Sequence, residues 1–213
     1  MTPVKNLHLL QHPVAEHHLA ALRATTTPPE EFRRLVRRLT LLLAAEATRD
    51  LATKAVRVQT PLMSAPGAQL KEHLGLVPIL RAGLGMVDAM LELLPQAAVW
   101  HLGVYRDERT LRPVEYYAKF KKAKPVDVAI VLDPMLATGG SALAALGELT
   151  RWGVKRLKLI ALIAAPEGVK RVHAAFPEVQ IHLAALDRRL NRHGYILPGL
   201  GDAGDRTFNA RAS

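Results

Sequence analysis

The chain has 213 residues, 49% of them apolar, no cysteine and a formal net charge of +10, a composition that suits one α/β domain with a full core. It argues against disorder, disulfide scaffolds and thiol catalysis. No apolar run reaches the ~18 residues of a membrane-spanning helix, and the N-terminus carries no secretory signal, so a cytoplasmic location and no membrane partner are expected. The charge calls for a negatively charged partner, either nucleic acid or a small molecule with several phosphates.

Residues 1–50 read as helical. Thr27-Pro28-Pro29-Glu30 has the form of a capping box with proline at the helix start, and Phe32, Leu35, Val36, Leu39, Leu42 and Leu43 follow at helical spacing. Arg33, Arg34, Arg37 and Arg38 lie off that stripe. Such a ridge can serve nucleic acid, a subunit contact or plain solvation; we expect one of the latter two, and no specific nucleic acid. His12, His17 and His18 lack the spacing of a zinc helix and are expected at the surface or at a cap. An alternating strand is predicted from Ala55 to Leu62, a turn around Pro66-Gly67, and a central strand from Leu76 to Leu80. Arg81-Ala82-Gly83 follows at once, ahead of a helix over 84–94. An arginine in that place can present its charge to an anion, or be a structural ion-pair partner.

The next strand is predicted from Ala97 to Tyr105. Residues 105–122 then alternate charges with aromatics around Leu111-Arg112-Pro113, which predicts an exposed two-stranded flap. Its arginines Arg106, Arg109 and Arg112 could close over a polyphosphate. Strands at Leu157–Ala164 and Val179–Ala184, with a helix at Glu167–Ala175 between them, complete a mostly parallel twisted sheet with helices on both faces, in a single domain spanning 1–213. Residues 186–208 turn irregular and glycine-rich. Their backbone could pair with the edge of a flat polar ring, with Tyr195 or Ile196 near its face; a loose tail is the alternative. Gly199-Leu200-Gly201-Asp202-Ala203-Gly204 fits the spacing of a dinucleotide loop, but only nine residues follow it, too few for the helix and strand such a loop needs.

The centre of the sequence is Val128–Leu143. Val128 to Leu132 reads as a strand buried on both faces, Asp133 ends it, and Ser141 opens a helical pattern. A helix start has unpaired N–H groups and about half a positive charge, which suits a phosphate. Thr138-Gly139-Gly140-Ser141 can cradle one, with Ser141 as cap, while Asp133 is placed to accept from sugar hydroxyls or meet a metal. An ordinary strand-to-helix turn has the same pattern, but the pair suggests a ribose 5-phosphate site. The lysine of a nucleotide-hydrolase loop is missing before Ser141.

This stretch resembles the phosphoribosyl pyrophosphate (PRPP) signature of type I phosphoribosyltransferases, and D-P-M-L-A-T-G-G-S, with Pro134 in place of a second acid, resembles that of uracil phosphoribosyltransferases. V-P-I-L-R-A-G-L-G-M is similar to the pyrophosphate loop of the same family, and G-Y-I-L-P-G-L-G-D-A-G-D-R-T-F to its uracil-binding hood. The resemblance implies the type I phosphoribosyltransferase fold with a flexible β-flap and a C-terminal hood. It also implies conversion of uracil and PRPP to UMP and diphosphate in pyrimidine salvage, with Mg2+ arriving with PRPP and no dedicated metal residue. PRPP contacts fall on Arg81, Arg106, Asp133, Pro134, Met135, Leu136, Ala137, Thr138, Gly139, Gly140, Ser141 and Asp202, and uracil contacts on Ile196, Gly201, Asp202 and Ala203. Arg106, Asp133 and Asp202 are the expected catalytic residues. Family habit adds a homodimer and a GTP activator. Arg112, Arg189, Arg192 and Asn209 depart from the family pattern, the last three beside the hood.

Overall fold

A strand of five apolar residues can be buried only in a sheet covered on both faces, and the chain is built on such strands. The computed structural model describes residues 5–106, 113–118 and 124–210. Its first half runs β1 (Leu7–Leu9), α1 (Pro13–Arg23), α2 (Pro29–Ala47), β2 (Thr53–Gln59), β3 (Ser64–Leu70), β4 (Leu74–Leu80), α3 (Leu84–Leu93), β5 (Ala98–Val99), β6 (Leu102–Arg106) and β7 (Pro113–Ala118). The second runs β8 (Val128–Leu132), β9 (Met135–Leu136), α4 (Gly140–Trp152), β10 (Arg156–Ala164), α5 (Pro166–Ala175), β11 (Gln180–Leu186), β12 (Arg189–Leu190), β13 (Ile196–Leu197) and α6 (Ala203–Phe208).

The main sheet has the order β1-β11-β10-β8-β4-β6-β7, with β5 also on β4 and β9 on β10. Its pairs are parallel except β6–β7. From β4 the chain moves one way, to β6; from β8 it moves the other, to β10 and β11. Right-handed crossovers in opposite directions put their helices on opposite faces. Accordingly α3 shares a core with α2 and with Leu76, Ile130 and Ile160, whereas α4 and α5 pack with Val77, Val131 and Leu159. Val128 to Leu132 are all 0% exposed and alternate between the two cores, so a one-residue slip would exchange their faces, misfit both packings and draw Asp127 or Asp133 toward the buried stretch. That register is what delivers Asp133 to the end of the strand.

Local differences from the sequence reading have identifiable causes. The N-terminal region is not wholly helical, because β1 pairs in parallel with β11; a three-residue strand carries no periodic signal. The capping box does not form: Pro28 is the N-cap of α2 without a side-chain bond, and Thr27 Oγ1 donates to the Ala21 carbonyl instead. His12 does cap, accepting from the Val14 N–H. Pro66 and Gly67 lie inside β3 rather than in a turn, in a ribbon separate from the main sheet. A two-stranded ribbon has two free edges, so a proline without a donor fits there; the turn falls at Thr60–Met63, where Thr60 Oγ1 donates to the Met63 carbonyl and accepts from the Met63 N–H. The strand predicted over 97–105 is broken into β5 and β6, both on β4.

The far edge of the sheet, at the amino ends of the strands, holds a buried polar group. His182, 4% exposed, stands opposite His8 in register and stacks on it at 4.6 Å between centroids. Lys158 lies nearby, donating to the Ala47 carbonyl and to Asp50. Burial, then the charges of His8 and Lys158, hold the His182 imidazole down to about 3. The unfolded chain takes up a proton at this residue near pH 6.5 while the folded chain does not, so stability falls as pH drops from 6.5 toward 3. Unfolding measured at pH 7 and pH 4.5 is expected to show His182→Gln losing about 2 kcal/mol less than the wild type over that interval.

Candidate active site

Parallel strands that part in opposite directions leave a crevice at their carboxyl ends, and β4 and β8 are that pair. Pro78 stands opposite Leu132, so Asp133 and Arg81 leave adjacent strands within two residues of one level. Gly83 makes the approach possible. A Cβ there would lie 2.4 Å from the Leu132 carbonyl oxygen and 2.7 Å from the Ile79 nitrogen, both backbone atoms that cannot yield.

On β8 the Asp-Pro pair is a kink rather than an end. The Asp133 N–H bonds the Ile160 carbonyl, and the Pro134 carbonyl takes the N–H groups of Leu162 and Ile163, before β9 resumes pairing on β10. Proline costs nothing here because its side of the kink serves only as acceptor. Asp133 Oδ1 accepts from the Met135 N–H at 3.2 Å, an Asx-type turn that fixes the carboxylate. Asp133 is half-buried. Desolvation raises its carboxyl to about 7, the Met135 bond opposing and the negative charge of Asp202 adding to the rise.

The loop that follows reaches α4 through Gly139, the N-cap, at φ 77°, a backbone state that favours glycine. Ser141 therefore lies within the first turn and is not the cap; the Gly139 carbonyl accepts from Leu143. The first-turn N–H groups have no helical acceptor. Arg171 of α5 donates to the Thr138 carbonyl at 3.3 Å, adding positive charge beside the loop.

The predicted hood is not a tail. Asp202 caps α6, its Oδ1 accepting from the Asp205 N–H at 2.9 Å, and β12 pairs with β13. Gly201 and Asp202 are exposed and Ala203 is buried. Ile196 is buried in the core, 4% exposed, while Tyr195 is open to solvent. Two arginines bolt the segment to the α1–α2 corner. Arg23 forks onto Asp187 at 2.9 and 2.5 Å and reaches the Gly199 carbonyl at 2.6 Å, while the Gly199 N–H bonds Asp187. Arg206 donates to the carbonyls of Leu22, Leu200 and Ala24 and lies over the Phe32 ring at 4.4 Å.

The structure thus gathers Arg81, Asp133, the 134–141 loop and Asp202 at one crevice. The charge of Asp202 is felt at Asp133, and Arg81 Nη2 pairs with Asp205 at 3.1 Å. Arg106 closes β6 on the same side, since Leu80 stands opposite Gly103. Of the predicted flap at 105–122, residues 107–112 and 119–122, with Arg109 and Arg112, lie outside the described residues. The N-terminal arginines are engaged within the chain: Arg33 with the Thr207 carbonyl, Arg34 and Arg38 with Glu31, and Arg37 with Glu92. Sequence reasoning missed Arg23, Arg171, Asp187, Asp205 and Arg206 as parts of the site's frame. Arg23 and Asp187 lie 164 positions apart, and no local pattern links them.

Among the described residues no group of three or more His, Cys, Asp or Glu forms a metal cage, and no helix is long and apolar enough to cross a membrane. Asp133 and Asp202 are two carboxylates at one mouth. That donor set fits a magnesium ion that keeps its waters and leans mainly on substrate oxygens.

A sheet whose winding reverses beside an acid-ended strand, a glycine loop and a helix start is the arrangement of the type I phosphoribosyltransferase fold. The fold is shared with adenine phosphoribosyltransferase from Rhodothermus marinus, at 19% identity and TM-score 0.50 over 70% of this chain and 78% of that one. A sequence model described as uracil phosphoribosyltransferase matches residues 9–210. A uracil phosphoribosyltransferase of Roseiflexus castenholzii is 57% identical over 96% of this chain and 99% of its own. A solved Aquifex aeolicus protein is 38% identical, with TM-score 0.91, over 97% of this chain and all of that one (100%). The chain belongs to the uracil phosphoribosyltransferase family.

Two outcomes follow from this geometry. Arg23→Ala strands the Asp187 carboxylate, 5% exposed as a side chain, and is expected to lower stability by about 3 kcal/mol in urea unfolding. A carboxyl whose folded value is raised favours folding in acid and loses that advantage as pH rises through 7. Asp133→Asn is therefore expected to raise stability at pH 8, by on the order of 2 kcal/mol given that water reaches the carboxyl, while the gain shrinks to nothing near pH 4.

Proposed function

We propose that the chain transfers the 5-phosphoribosyl group of PRPP to uracil, releasing diphosphate and forming UMP, in cytoplasmic pyrimidine salvage. The observation that carries this reading is the convergence of three loops, after β4, after β8 and before α6, on one crevice where the sheet reverses.

In this reading the N–H groups at the start of α4 and the 134–141 loop hold the 5′-phosphate, and Asp133 accepts from the ribose hydroxyls. Arg81 and Arg106 face the pyrophosphate. Gly201, Asp202 and Ala203, with the backbone of Ile196, read the edge of uracil. As the bond from C1′ to the diphosphate oxygen breaks and uracil N1 bonds to C1′, negative charge gathers on the leaving group, and the N1 proton departs. Positive charge held near that oxygen lowers the barrier: a unit pair 4 Å apart is worth about 4 kcal/mol at an effective dielectric of 20. Asp202 is the carboxylate we assign to the N1 proton; one of its oxygens caps α6 and the other is left for the ligand. Asp133 and Asp202 would be the carboxylates available to a Mg2+ bound with PRPP, which would supply further positive charge at the diphosphate. Fixed positioning of the phosphate end contributes through orientation, which removes entropy from the reacting step.

The reading includes a homodimer and GTP as activator. The β2–β3 ribbon, with Leu62 94% and Met63 68% exposed, supports a protein partner surface; sedimentation and a GTP titration of the rate test the two points.

The deciding assay combines PRPP and Mg2+ with uracil, hypoxanthine or guanine. UMP from uracil alone is expected, and turnover of a purine base without uracil would end this reading. Asp133→Asn and Arg106→Ala are each expected to cut kcat/KM at least tenfold with the chain still folded, and wild-type rates in both would remove their assigned roles.

A further inference from the structure

Arg81 has a partner that the reading above does not use. Its side chain is 60% exposed on a short loop, where a long flexible cation would sample many rotamers. Asp205 Oδ1 takes one of its five N–H donors, at Nη2, and leaves four, on Nε, Nη1 and the second position of Nη2. Asp205 is well mounted for this. It sits in the first turn of α6, its own N–H is held by Asp202, its carbonyl takes the Ala210 N–H, and the next residue is Arg206, buried in three carbonyls of the frame. The start of α6 also leans on the Arg81 loop, since a Cβ on Gly204 would stand 3.9 Å from both Ala82 Cβ and Arg81 Nη2.

We propose that Asp205 is a positioning residue for the transfer: it holds the Arg81 guanidinium in the crevice, with its remaining N–H groups available to the pyrophosphate, and ties that charge to the helix capped by Asp202. The proposal rests on the reading of Arg81 as a pyrophosphate contact. An ion pair this exposed adds little to stability; its consequence is orientation. A guanidinium already held in place loses less freedom when PRPP binds, so loss of the tether weakens PRPP by about five- to tenfold. Uracil, to which neither Arg81 nor Asp205 is assigned a contact, is affected less.

Steady-state kinetics of Asp205→Asn, Asp205→Glu, Arg81→Ala and the double variant Arg81→Ala with Asp205→Asn test this, with melting temperature as a check on folding. Asp205→Asn is expected to raise the KM for PRPP about fivefold or more, with kcat, the KM for uracil and the melting temperature near wild type. Asp205→Glu, which keeps the charge, is expected to recover much of the loss. Once Arg81 is alanine, Asp205→Asn is expected to add nothing. An unchanged or lowered KM for PRPP in Asp205→Asn, beside an impaired Arg81→Ala, overturns the role of Asp205 alone. An undiminished effect of Asp205→Asn in the Arg81→Ala background does the same. A wild-type KM for PRPP in Arg81→Ala removes the pyrophosphate role of Arg81 and this proposal with it.

Discussion

Two parallel strands that hand their connections to opposite sides leave a gap above their carboxyl ends, and every part of this site depends on the gap between β4 and β8. The pairing of Pro78 with Leu132 sets the height at which Arg81 and Asp133 emerge. The contact of Gly83 with the Leu132 carbonyl sets how close the two loops come. Because Val128 to Leu132 are sealed between two apolar layers, the register cannot drift without exchanging the faces of the strand. The core therefore acts on function through position.

The third wall of the crevice comes from the C-terminal segment, which has too few apolar residues to fold by itself. The N-terminal helical hairpin supplies its frame. The Arg23–Asp187 fork closes on both backbone groups of Gly199, and Arg206 fills the open carbonyls at the end of α1. Partly buried charges of this kind are tolerated because Arg23 meets a carboxylate and a carbonyl and Arg206 meets three carbonyls. A basic chain thus uses part of its positive charge as internal fasteners; the arginines of α2 are also bonded within the chain, but at its surface, where such contacts add little to stability.

Asp133 shows the tension between stability and activity at such a site. Its carboxyl is drawn into a partly desolvated place beside Asp202, which raises it to about 7. That placement works against the folded state at neutral pH, yet in the proposed reading it puts an acceptor beside the sugar diol and a solvated cation. Asp50 at the opposite edge is the contrast. Burial there also disfavours the charge, but hydrogen bonds from Lys158 and Gln180 outweigh it and hold that carboxyl down to about 2. Depth and partners together decide the charge state of such an acid.

The buried strand at 128–132, the helices of the sheet and the three loops that bear the site were legible in the sequence, because each is written in consecutive residues: an apolar run, a helical stripe, or glycines beside an acid. The reach of Ser141 as a cap, the wholly helical N-terminus and the turn at Pro66 were misread, since a cap, a three-residue strand and a free ribbon edge depend on neighbours distant in sequence. Which loops face each other, that Ile196 points inward, that Asp133 titrates near neutrality, and that Arg23, Asp187, Asp205 and Arg206 frame the crevice were decided by the tertiary structure alone. Those facts are set by distance and dielectric between residues far apart along the chain, and sequence order carries neither.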